Sequence, residues 1–127
     1  MDHCLIPVSI GELFDKYSIL QIKKERITDM NKIELVQREM NYLTPFIEKY
    51  LSQMNRSSYI LEEIKNINEQ LWDVEEKIRQ KEICEIFDDE FIDLARNVYK
   101  KNDKRCQIKN KINSLFNSDI REIKSYV

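Results

Sequence analysis

The sequence predicts an all-α fold, a single domain built as a bundle of four to five helices. One glycine and two prolines in 127 residues leave little material for tight turns. Apolar residues recur at three- and four-residue steps through most of the chain, the period of a helix face. With 35% charged and 42% hydrophobic residues, the chain can fill a core and cover it with solvated faces. The length fits one domain, residues 1–127, and the large apolar residues are too many for a disordered segment.

Residues 1–8 read as an extended lead-in, and helix one follows from Ser9. Ser9 and Glu12 form a Ser-x-x-Glu capping box, in which each side chain meets a backbone N–H at the helix start. Leu13, Tyr17, Leu20 and Ile27 share one face, and Ile19 and Ile22 add a second apolar side, so this helix should be central. Its end is expected between Thr28 and Asn31.

A second helical stretch carries Ile33, Val36, Met40 and Leu43. Pro45 removes a backbone donor and disfavours helix at Thr44, which predicts a kink or break there. A further segment, capped by Thr44, would continue through Phe46, Ile47, Tyr50, Leu51 and Met54. Asn55 to Ser58 reads as the next connection, with Ser57 or Ser58 as cap.

Helix three has the strictest period: Ile60, Ile64, Ile67, Leu71, Val74 and Ile78 form a seam for another helix. Beside it runs a mostly polar line of Asn68, Trp72, Glu75, Arg79 and Glu82, and the tryptophan implies that part of it is covered. Asp88 or Asp89 caps helix four. That helix is read as unbroken to Phe116, the alternative being a break at Asn102–Asp103. Asp119 and Glu122 form another capping box, which predicts a short docking helix over 119–127.

Helix four also points to a site. Phe91, Ala95, Val98, Asn102, Arg105, Lys109, Ile112 and Phe116 fall on one face, apolar at both ends and polar in the middle. A charge on a burying face is costly unless paired, so Arg105 and Lys109 need a partner in the protein or a ligand. Helix three brings Asn68, Glu75, Arg79 and Glu82; helix four brings Arg96, Asn102, Arg105 and Lys109. If the two run antiparallel, acids meet bases in a salt-bridge network. Surplus cations would leave a pocket for phosphate or carboxylate.

Other chemistries find less support. The formal net charge of −2 gives no global attraction to nucleic acid. No apolar stretch approaches the roughly 20 residues of a membrane span. Cys4, Cys84 and Cys106 form no close pair, and residues 1–7 lack a secretory signal, so a cytoplasmic protein is expected. His3 is the only histidine, and Gly11 alone cannot make a phosphate loop. No cofactor or resident metal is expected. Carboxylates at Glu82, Glu85, Glu75 and Asp89 resemble half of a magnesium site, for which Glu62, Glu63, Asn66 and Glu69 would have to supply the rest.

The motif Val8-Ser9-Ile10-Gly11-Glu12-Leu13-x-Asp15-Lys16 resembles the opening of an uncharacterised family of short bacterial and phage proteins. The similarity continues through Leu71-Trp72, Leu94-Ala95-Arg96, Val98-Tyr99, Asn102-Asp103-x-Arg105, Ile108-Lys109 and Ile112-Asn113 to Lys124-Ser125-Tyr126. Lys104 and Cys106 stand where the pattern has an acid and an alanine. The resemblance implies a helical fold, no established activity, and a genomic setting beside glycosyltransferases and surface-polysaccharide genes.

Together these readings place an anion-recognising pocket between helices one, three and four, with a phosphate- or carboxylate-bearing metabolite such as a nucleotide sugar as its ligand. Arg96, Arg105 and Lys109 would hold the charge, and Tyr99 and Asn102 would orient it. Glu12, Asp15 and Glu75 would position the cations, with Lys16, Trp72 and Arg79 completing the set; no catalytic residue is assigned. The alternatives are a homodimeric interaction module using the helix-three seam, and a magnesium-dependent pyrophosphohydrolase.

Overall fold

A computed structural model describes residues 2–53 and 58–125, which form four helices and, among those residues, no strand. They are α1 (Ile10–Arg26), α2 (Met30–Leu51), α3 (Ser58–Ile83) and α4 (Asp89–Leu115). The all-α bundle is as expected, and residues 2–9 carry no regular structure.

Ser9 caps α1, its Oγ accepting from the Glu12 N–H at 3.0 Å. Only this half of the capping box serves the cap, because Glu12 sends its carboxylate across to Lys109. The helix stops at Arg26, slightly earlier than its pattern suggested, and Asp29 then caps α2 by accepting from the Asn31 and Lys32 N–H groups.

α2 runs through Pro45 as one element, so the break expected at Thr44 does not occur. Pro45 and Asn41 are both exposed, so the carbonyl that the proline leaves without a donor can meet water. Thr44 is no cap; its hydroxyl donates to the Met40 carbonyl at 2.7 Å. Met54 and the Asn55–Ser57 connection lie outside the described residues, and Ser58 opens α3.

The α3 seam is buried from Ile60 to Val74, with Ile78 half-buried. It packs within the chain: Ile60, Ile64 and Ile67 join Leu13 and Phe14 of α1, Ile47 of α2, and Ile108 and Ile112 of α4 in one core. α3 and α4 run antiparallel, as the ties Glu63–Lys111, Gln70–Lys101 and Asp88–Lys81 require. α4 is unbroken, capped by Asp88 through the Phe91 N–H at 2.9 Å.

The stripe read along α4 needs one correction. Leu94, not Ala95, turns inward, and the buried face continues through Ile108, Lys109, Ile112 and Asn113. Its polar middle and second apolar end are therefore as expected, while its apolar start is rotated.

The short C-terminal helix is also corrected, since residues 119–125 are not helical. Glu122, the expected capping partner of Asp119, is instead held by Lys109 at 2.8 Å. Ser118 accepts from the Ile10 N–H and donates to the Ile120 carbonyl, and Asn110 donates to the Glu122 carbonyl, which fixes the segment as a strap along α4. Tyr126, which closes the expected helix, lies outside the described residues. No helix among them is long and apolar enough to cross a membrane.

Candidate functional site

The site begins where α1 touches α4. Gly11 is the only glycine, and a Cβ there would overlap the Lys109 carbonyl and sit 2.9 Å from Asn113 Oδ1. Hydrogen in that place lets the two backbones approach, and the Gly11 N–H donates to Asn113 Oδ1 at 2.6 Å. This close crossing sets Glu12 and Asp15, the next residues on that side of α1, against α4.

Below the crossing lies a buried polar cluster. Asp15 is 4% exposed, Asn68 5%, Lys109 5% and Ser18 fully buried. Asn68 donates through Nδ2 to Asp15 Oδ1 and to Ser18 Oγ, each at 2.8 Å. Lys109 Nζ contacts Glu12 at 2.6 Å, Glu122 at 2.8 Å and Asp15 at 4.0 Å. Such a set tolerates burial only because each charge has an opposite neighbour.

The protonation tendencies follow from this packing. Burial pushes the Asp15 carboxyl above its ordinary value, although the Asn68 hydrogen bond and the charges of Arg105 and Lys109 pull the other way. Burial also opposes charge on Lys109, yet its hydrogen bonds to Glu12 and Glu122 prevail and raise it. Lys109 in turn holds Glu122 below the ordinary carboxylate range.

Arg105 is different. Its side chain is 32% exposed and its only ion pair among the described residues is a long one, Nε to Asp15 Oδ1 at 4.0 Å. It makes no hydrogen bond among the described residues. Its guanidinium borders a cavity of about 450 Å³ between α4 and the strap, lined also by Val98, Tyr99, Asn102, Asp103, Cys106, Glu122 and Lys124. Lys124 Nζ lies 3.2 Å from Asp103 Oδ1. The walls thus combine fork-shaped donors, an amide, a phenol and two carboxylates.

Some expected site residues converge here and others do not. Tyr99, Asn102 and Arg105 line the cavity, while Glu12, Asp15 and Lys109 form the paired layer beside it. Arg96 is exposed and borders no part of this cavity. Lys16 pairs with Glu39 of α2 at 2.9 Å. Trp72 donates to Glu76 and lies under Arg26, and Glu75 pairs with Arg79 along α3. Arg79 borders a separate, shallow groove with Glu76, Lys77, Gln80, Lys81 and Glu90.

A surplus of cations, expected from the basic stretch of α4, is not what surrounds the cavity. Glu12, Asp15, Asp103 and Glu122 outnumber Arg105, Lys109 and Lys124. The basic stretch is spent differently: Lys100 and Lys104 face solvent, and Lys101 donates to Gln70. The acids considered for magnesium stay dispersed, and no group of three or more candidate ligands comes together among the described residues.

Sequence reasoning missed the strap's part in this site. Asp103, Cys106, Glu122 and Lys124 become walls only because residues 118–124 fold back. The available signals were Asp103 and Lys124, which stand in the motifs quoted above, and Glu122, an acid 13 residues after Lys109 that also fitted a local capping box.

Residues 5–127 match the model of a family of unknown function, DUF6165, and the chain belongs to that family. Comparison with curated proteins and with solved structures gives no match.

Proposed function

We propose that this member of the DUF6165 family binds a small polyhydroxylated metabolite that bears phosphate or carboxylate, with Arg105 taking the anion. The observation that supports this most is the state of the Arg105 guanidinium. The Arg105 side chain is two-thirds withdrawn from solvent, has only a long 4.0 Å contact to Asp15 and no hydrogen bond among the described residues, and the residue lines a cavity. Guanidinium donors form a planar fork matched to phosphate and carboxylate, and an anion there gains charge-assisted bonds in a partly dry setting.

The remaining walls suit the uncharged part of such a ligand. Asp103 and Glu122 accept hydroxyl hydrogens, Asn102 both donates and accepts, and Tyr99 offers a ring face. A purely inorganic anion would be repelled by those carboxylates, whereas a sugar phosphate or nucleotide sugar meets both kinds of wall. A role in surface-polysaccharide biosynthesis, in the cytoplasm of a bacterial or phage-infected cell, belongs to the same proposal.

A thermal-shift series tests it. A ligand that binds only the folded chain raises the melting temperature with concentration. Sugar phosphates and nucleotide sugars are expected to stabilise the protein more than inorganic phosphate or the neutral sugar at equal concentration. No shift with any of the anionic sugars would refute the reading.

A further inference from the structure

The far half of the α3–α4 hairpin is unlike the rest of the bundle. Between residues 75 and 100 only Leu94 is buried, whereas the seam just before it is buried throughout. Ile83, Ile86 and Phe87 at the turn are exposed, and so are Ile92 and Tyr99, each by more than half. Ile92, Ala95 and Tyr99 follow three- and four-residue steps, so α4 carries an apolar stripe here that stays exposed among the described residues.

Beside that stripe runs a second one, made of charge. Asp89, Asp93, Arg96 and Lys100 are spaced four, three and four residues apart, and all are exposed. None of the four makes an ion pair or hydrogen bond with another side chain among the described residues. The order is two acids, then two bases. Within one helix this arrangement places like charges four residues apart, Asp89 with Asp93 and Arg96 with Lys100, which is mildly unfavourable, and leaves Asp93 with Arg96 as its one opposite-sign neighbour pair. The α4 N-terminal dipole favours acids in its first turn, but that effect fades before Arg96 and Lys100.

A stripe that is acidic in its first half and basic in its second is complementary to itself when reversed. We infer that the chain forms an antiparallel homodimer in which α4 packs on α4 of a second copy about a twofold axis near Leu94–Ala95, Asp89 meeting the partner's Lys100 and Asp93 the partner's Arg96. A twofold contact of this kind uses one patch twice, so every pairing is made in duplicate. Ile92 and Ala95 lie alongside and bury their exposed carbon surface in the same step. The α3 seam is not involved, because it is already filled by the chain's own helices.

Sedimentation velocity on the full chain, supported by circular dichroism to confirm folding, tests this. The wild type should sediment as a dimer of the 15.4 kDa chain and dissociate more readily as salt rises, since exposed pairs are screened. K100E should weaken dimerisation about tenfold or more through repulsion in two symmetric places, and D89K combined with K100E should restore it. I92E, on an exposed position that folding does not need, should give a folded monomer. A wild type that stays monomeric at about 100 μM, well above the dissociation constant of a standard interface, overturns the inference. So does a dimer indifferent to K100E and I92E.

Discussion

The backbone N–H of Gly11 donates to the side-chain oxygen of Asn113 at 2.6 Å, a buried bond between residues 102 positions apart. It gives that N–H an acceptor that a helix start cannot supply for itself, and it locks the α1–α4 crossing that brings Glu12 and Asp15 against Lys109. Two substitutions probe it.

Gly11→Ala should destabilise the fold by about 1–3 kcal/mol in denaturant titration, because the added methyl collides with the Lys109 carbonyl. Helix propensity alone predicts the opposite sign, a gain of up to about 1 kcal/mol, so the direction is diagnostic. A stabilised variant would mean that the two helices do not approach so closely.

Asn113→Ala should cost about 1–3 kcal/mol, since the Gly11 N–H would stay buried without its acceptor. Chemical unfolding at neutral pH measures it. A change within a few tenths of a kcal/mol would show that the bond contributes nothing.

Glu122 should tie stability to pH. Its folded-state pKa lies below the ordinary value of 4.5, so the Lys109 contact contributes above that value and is lost as pH falls through the lowered one. Asp15 works in the opposite direction, its raised pKa reducing stability as pH rises above 3.8. Comparing the wild type with Glu122→Gln cancels the Asp15 contribution. The variant should be less stable at pH 7, and the gap should narrow on acidification below pH 4.5. A gap that is constant with pH would contradict the ion pair.

The helices were largely legible because each sequence period maps onto a burial pattern: Ile60 to Val74 repeats every three or four residues and is buried at each step. Caps at Ser9 and Asp88 were legible for the same local reason. Pro45 misled because its cost depends on whether water reaches the freed carbonyl, a property of tertiary position. Asp119 to Lys124 misled because Glu122 had two possible partners, a local backbone N–H and the distant Lys109, and the sequence shows only the local one. In the site, Arg105 and Asn102 stood out as polar residues on a burying face. Arg79 entered the same list from the polar line of helix three and Arg96 from the basic stretch and motif of helix four, but their helix positions carry them elsewhere.

Arg105 bears the proposed function, and isothermal titration of a nucleotide sugar or sugar phosphate into wild type and Arg105→Leu tests it most directly. The wild type should bind, and the variant should keep its fold while losing about 10- to 150-fold in affinity, the weight of charge-assisted hydrogen bonds worth roughly 1.5–3 kcal/mol. A folded Arg105→Leu protein that binds the same compound as tightly as the wild type would contradict the account.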